Sequence, residues 1–79
     1  MKWSNNLKNI YDTGKVGKCP FCGSANTDYT ATVVLKDKKM GFMDIWCNDC
    51  KKAHHASRLE VEDYFDTGKP IPKNLKYTI

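Results

Sequence analysis

Cys19-Pro20-Phe21-Cys22-Gly23 and, after 24 intervening residues, Cys47-Asn48-Asp49-Cys50-Lys51 are the two stretches that decide the fold. Each places two cysteines three positions apart, the spacing of a tight turn that aims both sulfurs at one ion. Gly23 follows Cys22 where a left-handed residue helps, and Pro20 stiffens the approach. The interval between the pairs suits one β-hairpin that returns the chain to its start. Four thiolates would then meet across the hairpin base, and zinc favours such a tetrahedron, with sulfur at about 2.3 Å.

Working outward from the first pair, Thr27 to Leu35 alternates with period two. Tyr29, Ala31, Val33 and Leu35 fall on one face, and Thr30, Thr32 and Val34 on the other. Lys36 to Gly41 reads as a polar turn, and Phe42 to Trp46 as the return strand, running into Cys47. The second pair opens a third strand, from Lys52 to about Leu59. His54 and His55 take one face each on that strand, and a set of four cysteines needs neither as a ligand.

The flanks are less regular. Trp3, Leu7, Ile10 and Tyr11 stand at helical spacing, with Ser4 as N-cap and Gly14 as the stop, which predicts a short N-terminal helix within residues 1–14. A second short helix is expected over 61–68, with Val61, Tyr64 and Phe65 inward and Gly68 ending it; Ser57-x-x-Glu60 could start it a turn earlier. Pro70 and Pro72 then force an extended tail over 69–79, where Leu75, Tyr77 and Ile79 alternate as an edge strand or a loose arm. Asp-Thr-Gly-Lys occurs at 12–15 and again at 66–69, which suggests duplicated helix-ending chemistry.

The C-P-x-C-G pattern of the first pair resembles the knuckle of the zinc-ribbon family, of rubredoxin type. The resemblance covers residues 19–50 closely, and 19–60 if the third strand forms. It implies a small metal-bound α+β protein in which a three-stranded antiparallel sheet carries two metal-binding turns. It also implies Cys19, Cys22, Cys47 and Cys50 as ligands of one structural zinc ion. The second pair departs from the pattern, with Asn48 in place of the proline and Lys51 in place of the glycine. Residues 1–18 and 61–79 match no family feature.

Composition narrows the function. A chain of 79 residues makes one domain with a marginal core, and structural zinc contributes about 10–16 kcal/mol of apparent folding free energy in small domains. No apolar run approaches the ~18–20 residues of a membrane helix. The N-terminus, Met1 to Asn6, lacks the apolar core of a secretory signal, so a cytoplasmic location without membrane is expected. A closed four-cysteine site has no open position for water, which argues against an enzyme. The formal charge of +4 falls to about +2 once four thiolates hold a divalent ion, so the chain is only weakly basic.

Two binding roles follow from this. One is an adaptor or regulator docking on a larger protein or nucleoprotein machine, with Trp3, Leu7 and Tyr77 as candidate anchors. The other is nucleic-acid binding through Lys36, Lys38, Lys39, Lys51, Lys52 and Arg58, with Tyr29, Phe42 and Trp46 available to stack on bases. Iron in the same four-sulfur site would instead make an electron carrier. Cys-Pro-Phe-Cys taken alone also looks like a glutaredoxin-type redox pair, but that chemistry needs the pair between a strand and a helix.

Overall fold

The computed structural model describes residues 3–77. It is a small α+β fold with one helix, α1 (Ser4–Thr13), and four strands: β1 (Thr27–Leu35), β2 (Met40–Cys47), β3 (Lys52–Glu60) and β4 (Lys76–Tyr77). The sheet order is β1-β2-β3-β4. The first three strands are antiparallel, with Tyr29 opposite Ile45 and Asp44 opposite His55, and β4 joins β3 in parallel. Among the described residues, no helix is long and apolar enough to cross a membrane.

Helix α1 buries Trp3 and Ile10 completely, with Leu7 and Tyr11 half-buried against the same core. Gly14 ends it in the left-handed region, at φ 78°, and its N–H returns to the Ile10 carbonyl. Ser4 is not the N-cap: Trp3 holds that position without a side-chain cap, and Ser4 is already helical. Met43, Ile45, Tyr29 and Ala31 form the sheet side of this core, with Val16, Val61 and Phe65 closing it.

The outer half of β1 differs from its inner half. Tyr29, Thr30 and Ala31 are buried, whereas Val33, Val34 and Leu35 are exposed, because the hairpin projects beyond the core. The return strand starts at Met40 rather than Phe42, and the expected turn is accordingly shorter. Gly41 lies so close to β1 that a Cβ there would meet the Thr32 carbonyl oxygen.

The second helix does not form; residues 61–68 make a turn and an extended run instead. The backbone groups a helix would need are taken by the sheet. The Val61 N–H bonds the Lys39 carbonyl, the Asp66 carbonyl accepts from the Ala31 N–H, and Thr67 bridges Ala31 in parallel. Only Phe65 N–H to Glu62 C=O closes a local turn. Val61 and Phe65 still point inward, so the apolar pattern is kept without the helix. Ser57 to Glu60 belongs to β3, not to a helix start.

The tail then crosses the sheet. Side chains alternate, so Trp46 and Ala53, which are opposite each other in register, face away from the main core. Both are nonetheless buried. Lys69 is anchored on β1, its N–H to Thr30 Oγ1 and its ammonium to Asp28, while Tyr77 beyond β3 reaches Asp44 with its hydroxyl. Residues 69–77 therefore run from the β1 edge to the β3 edge over Trp46. Of the expected tail alternation, Ile79 lies outside the described residues.

Candidate metal centre

Each cysteine pair sits on a tight turn at the base of the hairpin. In the first, the Gly23 N–H bonds the Cys19 carbonyl at 2.9 Å, and the Cys19 N–H bonds the Ser24 carbonyl at 2.8 Å. In the second, the Lys51 N–H bonds the Cys47 carbonyl at 3.0 Å. The two turns are brought together by the β1–β2 pairing, in which Thr27 stands opposite Cys47.

The four sulfurs lie within 4.8 Å of one another. Cys19 Sγ is 3.6 Å from Cys50 Sγ, and Cys22 Sγ is 3.6 Å from Cys47 Sγ. A disulfide requires about 2.05 Å, so these are four free thiols. A tetrahedron with metal–sulfur bonds near 2.3 Å has sulfur–sulfur edges of roughly 3.8 Å, close to the spacing found. The cluster could therefore hold a metal ion, consistent with a zinc-binding knuckle. Cys19 and Cys47 are buried, and Cys22 is exposed.

Backbone donors face the sulfurs. Burial pushes the Cys19 thiol up, but the N–H groups of Cys22 and Phe21, with the Cys50 and Cys22 thiols, bring it down to about 7. Cys22 is favoured as thiolate by the Ser24 N–H, yet burial and the three other thiols push it up to about 12. Burial likewise raises Cys50, against the Lys52 N–H. One ionised sulfur thus opposes the ionisation of its neighbours, and a cation at the centre removes that conflict.

Several residues outside the cysteines hold this geometry, and the sequence pattern alone did not mark them. Asn6 is 4% exposed and donates through Nδ2 to the carbonyls of Val16 (3.0 Å) and Lys18 (2.7 Å), fixing the approach to Cys19. It lies inside the apolar stripe, three residues after Trp3 and four before Ile10, and that misplaced polar residue was the available signal. Trp3 packs on the Phe21 ring of the first knuckle.

The departures from the knuckle pattern also have partners. Asn48 donates its N–H to the Asn26 carbonyl and accepts from Trp46 Nε1. Asp49 accepts from Ser24 Oγ and Asn26 Nδ2, and those two bonds hold its carboxyl below the usual range. The two knuckles are thus tied by protein groups as well as by their sulfurs.

The other candidate residues divide. Trp3 is fully buried and cannot serve as a surface anchor; Leu7 packs on the core; Tyr77 remains exposed. Tyr29 and Trp46 are buried, so neither is open to a base, and Phe42 is half-buried against the His55 ring. Lys36, Lys38 and Lys39 sit at the hairpin tip, where Lys39 pairs with Asp63. Lys51 and Lys52 lie at the opposite end, with Lys76 beside Lys52 in register. His54 and His55 take opposite faces of β3, and His55 Nδ1 is 2.8 Å from the buried Asp44 carboxylate. Comparison of the chain with protein-family models, curated proteins and solved structures finds no match.

Proposed function

We propose that the chain is a zinc-ribbon protein whose single zinc ion is structural, and that it acts as a non-catalytic docking module for a larger protein assembly. The closed set of four cysteine sulfurs carries the reading. Every corner of a tetrahedral site is filled by thiolate, leaving no position for substrate or water, and such sites stabilise folds rather than perform chemistry. Function then rests on the surface. At the end of the hairpin away from the cysteines, Val34 is 63% and Leu35 51% exposed, side chains that a partner would cover.

Elemental analysis of natively produced protein tests the metal; iron would redirect the reading to electron transfer. Affinity capture from the native cell, with and without nuclease, tests the docking. Capture that resists nuclease and is lost in a Val34→Glu/Leu35→Glu double variant supports it, and capture that disappears with nuclease opposes it.

Nucleic-acid binding is the second reading, favoured by the alignment of Lys76 with Lys52 beside Lys51. It lacks the exposed aromatic platform such binders use, since Trp46 and Tyr29 are covered. A steep loss of affinity with salt, reduced by Lys51→Glu/Lys76→Glu, would favour it over docking on protein.

A further inference from the structure

The outer edge of β1 is only partly occupied. At Ala31 the N–H points away from β2 and bonds the Asp66 carbonyl, while Thr67 bridges alongside. In an antiparallel ladder a residue's N–H and C=O point the same way and alternate along the strand. Val33, two residues on and still in regular register with Gly41, therefore presents its N–H and C=O outward as well. Among the described residues no strand pairs there. The segment after β3 touches the hairpin at Val61 and rejoins β1 at Thr67, leaving the Thr32–Leu35 edge open between them.

The surroundings of this edge select an occupant. On one side is a groove of about 300 Å³ lined by Val34, Leu35, Met40 and Phe42, with Arg58 at its rim. Around the tip stand Lys36, Lys38 and Lys39, and of the four cations only Lys39 has an ion pair among the described residues, to Asp63. An added strand would send alternate side chains into the apolar groove and toward these cations. A second copy of the chain fits poorly. A two-fold axis at Val33 would set Leu35 against Ala31 of the other copy, where Asp66 and Thr67 already hold the edge.

We infer that the free β1 edge at Thr32–Leu35 receives an extended segment of a partner protein in which apolar and acidic residues alternate, added to the sheet as a further strand. The inference rests on the docking reading above and names its surface and the chemistry of its partner. Main-chain pairing at Val33 supplies the alignment, the apolar groove accepts one face of the segment, and Lys36, Lys38 and Arg58 meet the carboxylates of the other.

The test uses two synthetic peptides, one alternating valine with glutamate and one alternating valine with lysine, added to the metal-loaded chain. Binding is read by anisotropy of a labelled peptide, and the site by amide exchange. The valine–glutamate peptide should bind saturably, slow exchange at the Val33 amide, and bind at least about tenfold more tightly than its lysine counterpart. Val33→Pro removes the outward donor and should weaken binding about tenfold or more. If that variant loses its metal, Val34→Glu/Leu35→Glu decides, since both side chains are exposed.

No binding at about 1 mM, equal binding of both peptides, or binding indifferent to these substitutions overturns the proposal. If nuclease-resistant protein capture nevertheless persists in Val33→Pro or, should that variant lose its metal, in the double variant, the edge is wrong and the docking reading stands. If capture fails as well, both fall.

Discussion

Lys51 stands in the second knuckle as Gly23 stands in the first: both have positive φ, 64° and 75°, and both donate to the carbonyl of the cysteine four residues before. The left-handed region costs a non-glycine residue about 1–2 kcal/mol, so the second turn carries a strain that the first does not. Lys51→Gly should stabilise the metal-loaded protein by about 0.5–1 kcal/mol, the gain being reduced by the added freedom of glycine in the unfolded chain. Gly23→Ala should cost about 1–2 kcal/mol, wholly conformational because nothing lies within 4 Å of the added methyl. Denaturant midpoints of the two variants check both signs.

Removing the metal should unfold the chain. The core outside the knuckles is small, and the zinc contribution of about 10–16 kcal/mol exceeds the usual stability of a domain this size. Chelation should abolish the cooperative transition seen by circular dichroism, and added zinc should restore it. Any one of Cys19→Ser, Cys22→Ser, Cys47→Ser or Cys50→Ser should raise the zinc needed for folding by orders of magnitude. A chelated chain that keeps its full transition would falsify the structural role.

Asn6→Ala should loosen the first knuckle from a distance. It deletes both bonds to the Val16 and Lys18 carbonyls in a buried setting, a loss of about 2–3 kcal/mol. The same variant should release zinc to a competing chelator faster than the parent, whereas Asn9→Ala, whose bond to the Val16 carbonyl is longer at 3.4 Å, should change little.

Alkaline pH should weaken the metal-loaded fold. Burial raises Tyr29 above its ordinary 10.0, and bonds to Asp28 and Asp66 raise Lys69 above 10.5. A group that holds its proton more tightly when folded contributes fully below its unfolded pKa and loses that contribution as pH rises through the folded value. Stability should therefore be level near neutrality and fall above about pH 10. In Tyr29→Phe the fall should be shallower. That variant also starts about 1 kcal/mol lower, because the Gly14 carbonyl and the Asp66 N–H both bond the lost hydroxyl.

Deleting residues 69–79 should uncover Trp46. In a Trp3→Phe background, its fluorescence should shift to the red and its quenching by acrylamide should increase, while the four cysteines still bind metal. An unchanged spectrum would mean that the tail is not its cover.

What could be read in the sequence follows from where the constraints are local. The cysteine pairs fix their own turns, and the alternation from Thr27 to Leu35 fixes β1, so hairpin and sulfur cluster were both legible. Gly14 likewise marked the end of α1. The 61–68 segment misled because Val61, Tyr64 and Phe65 fit a helix, and only the distant backbone groups of Lys39 and Ala31 decide otherwise. Trp3 had the composition of an anchor, and burial against the first knuckle, another tertiary fact, made it core. The Asp-Thr-Gly-Lys repeat was half informative. Both glycines are left-handed, at 78° and 74°, but only the first ends a helix. Tyr29 touches both copies through a single hydroxyl, a link that spacing along the chain could not reveal.

The path of the tail over Trp46 sets an order of events during synthesis. All four sulfurs have left the ribosome before Lys69 is added, so the ion can be captured while the back of the sheet is still wet. Trp46 can be sealed only after Tyr77 emerges to pair beyond β3. A nascent chain stalled between those points would carry its metal and yet show an aromatic side chain to passing chaperones.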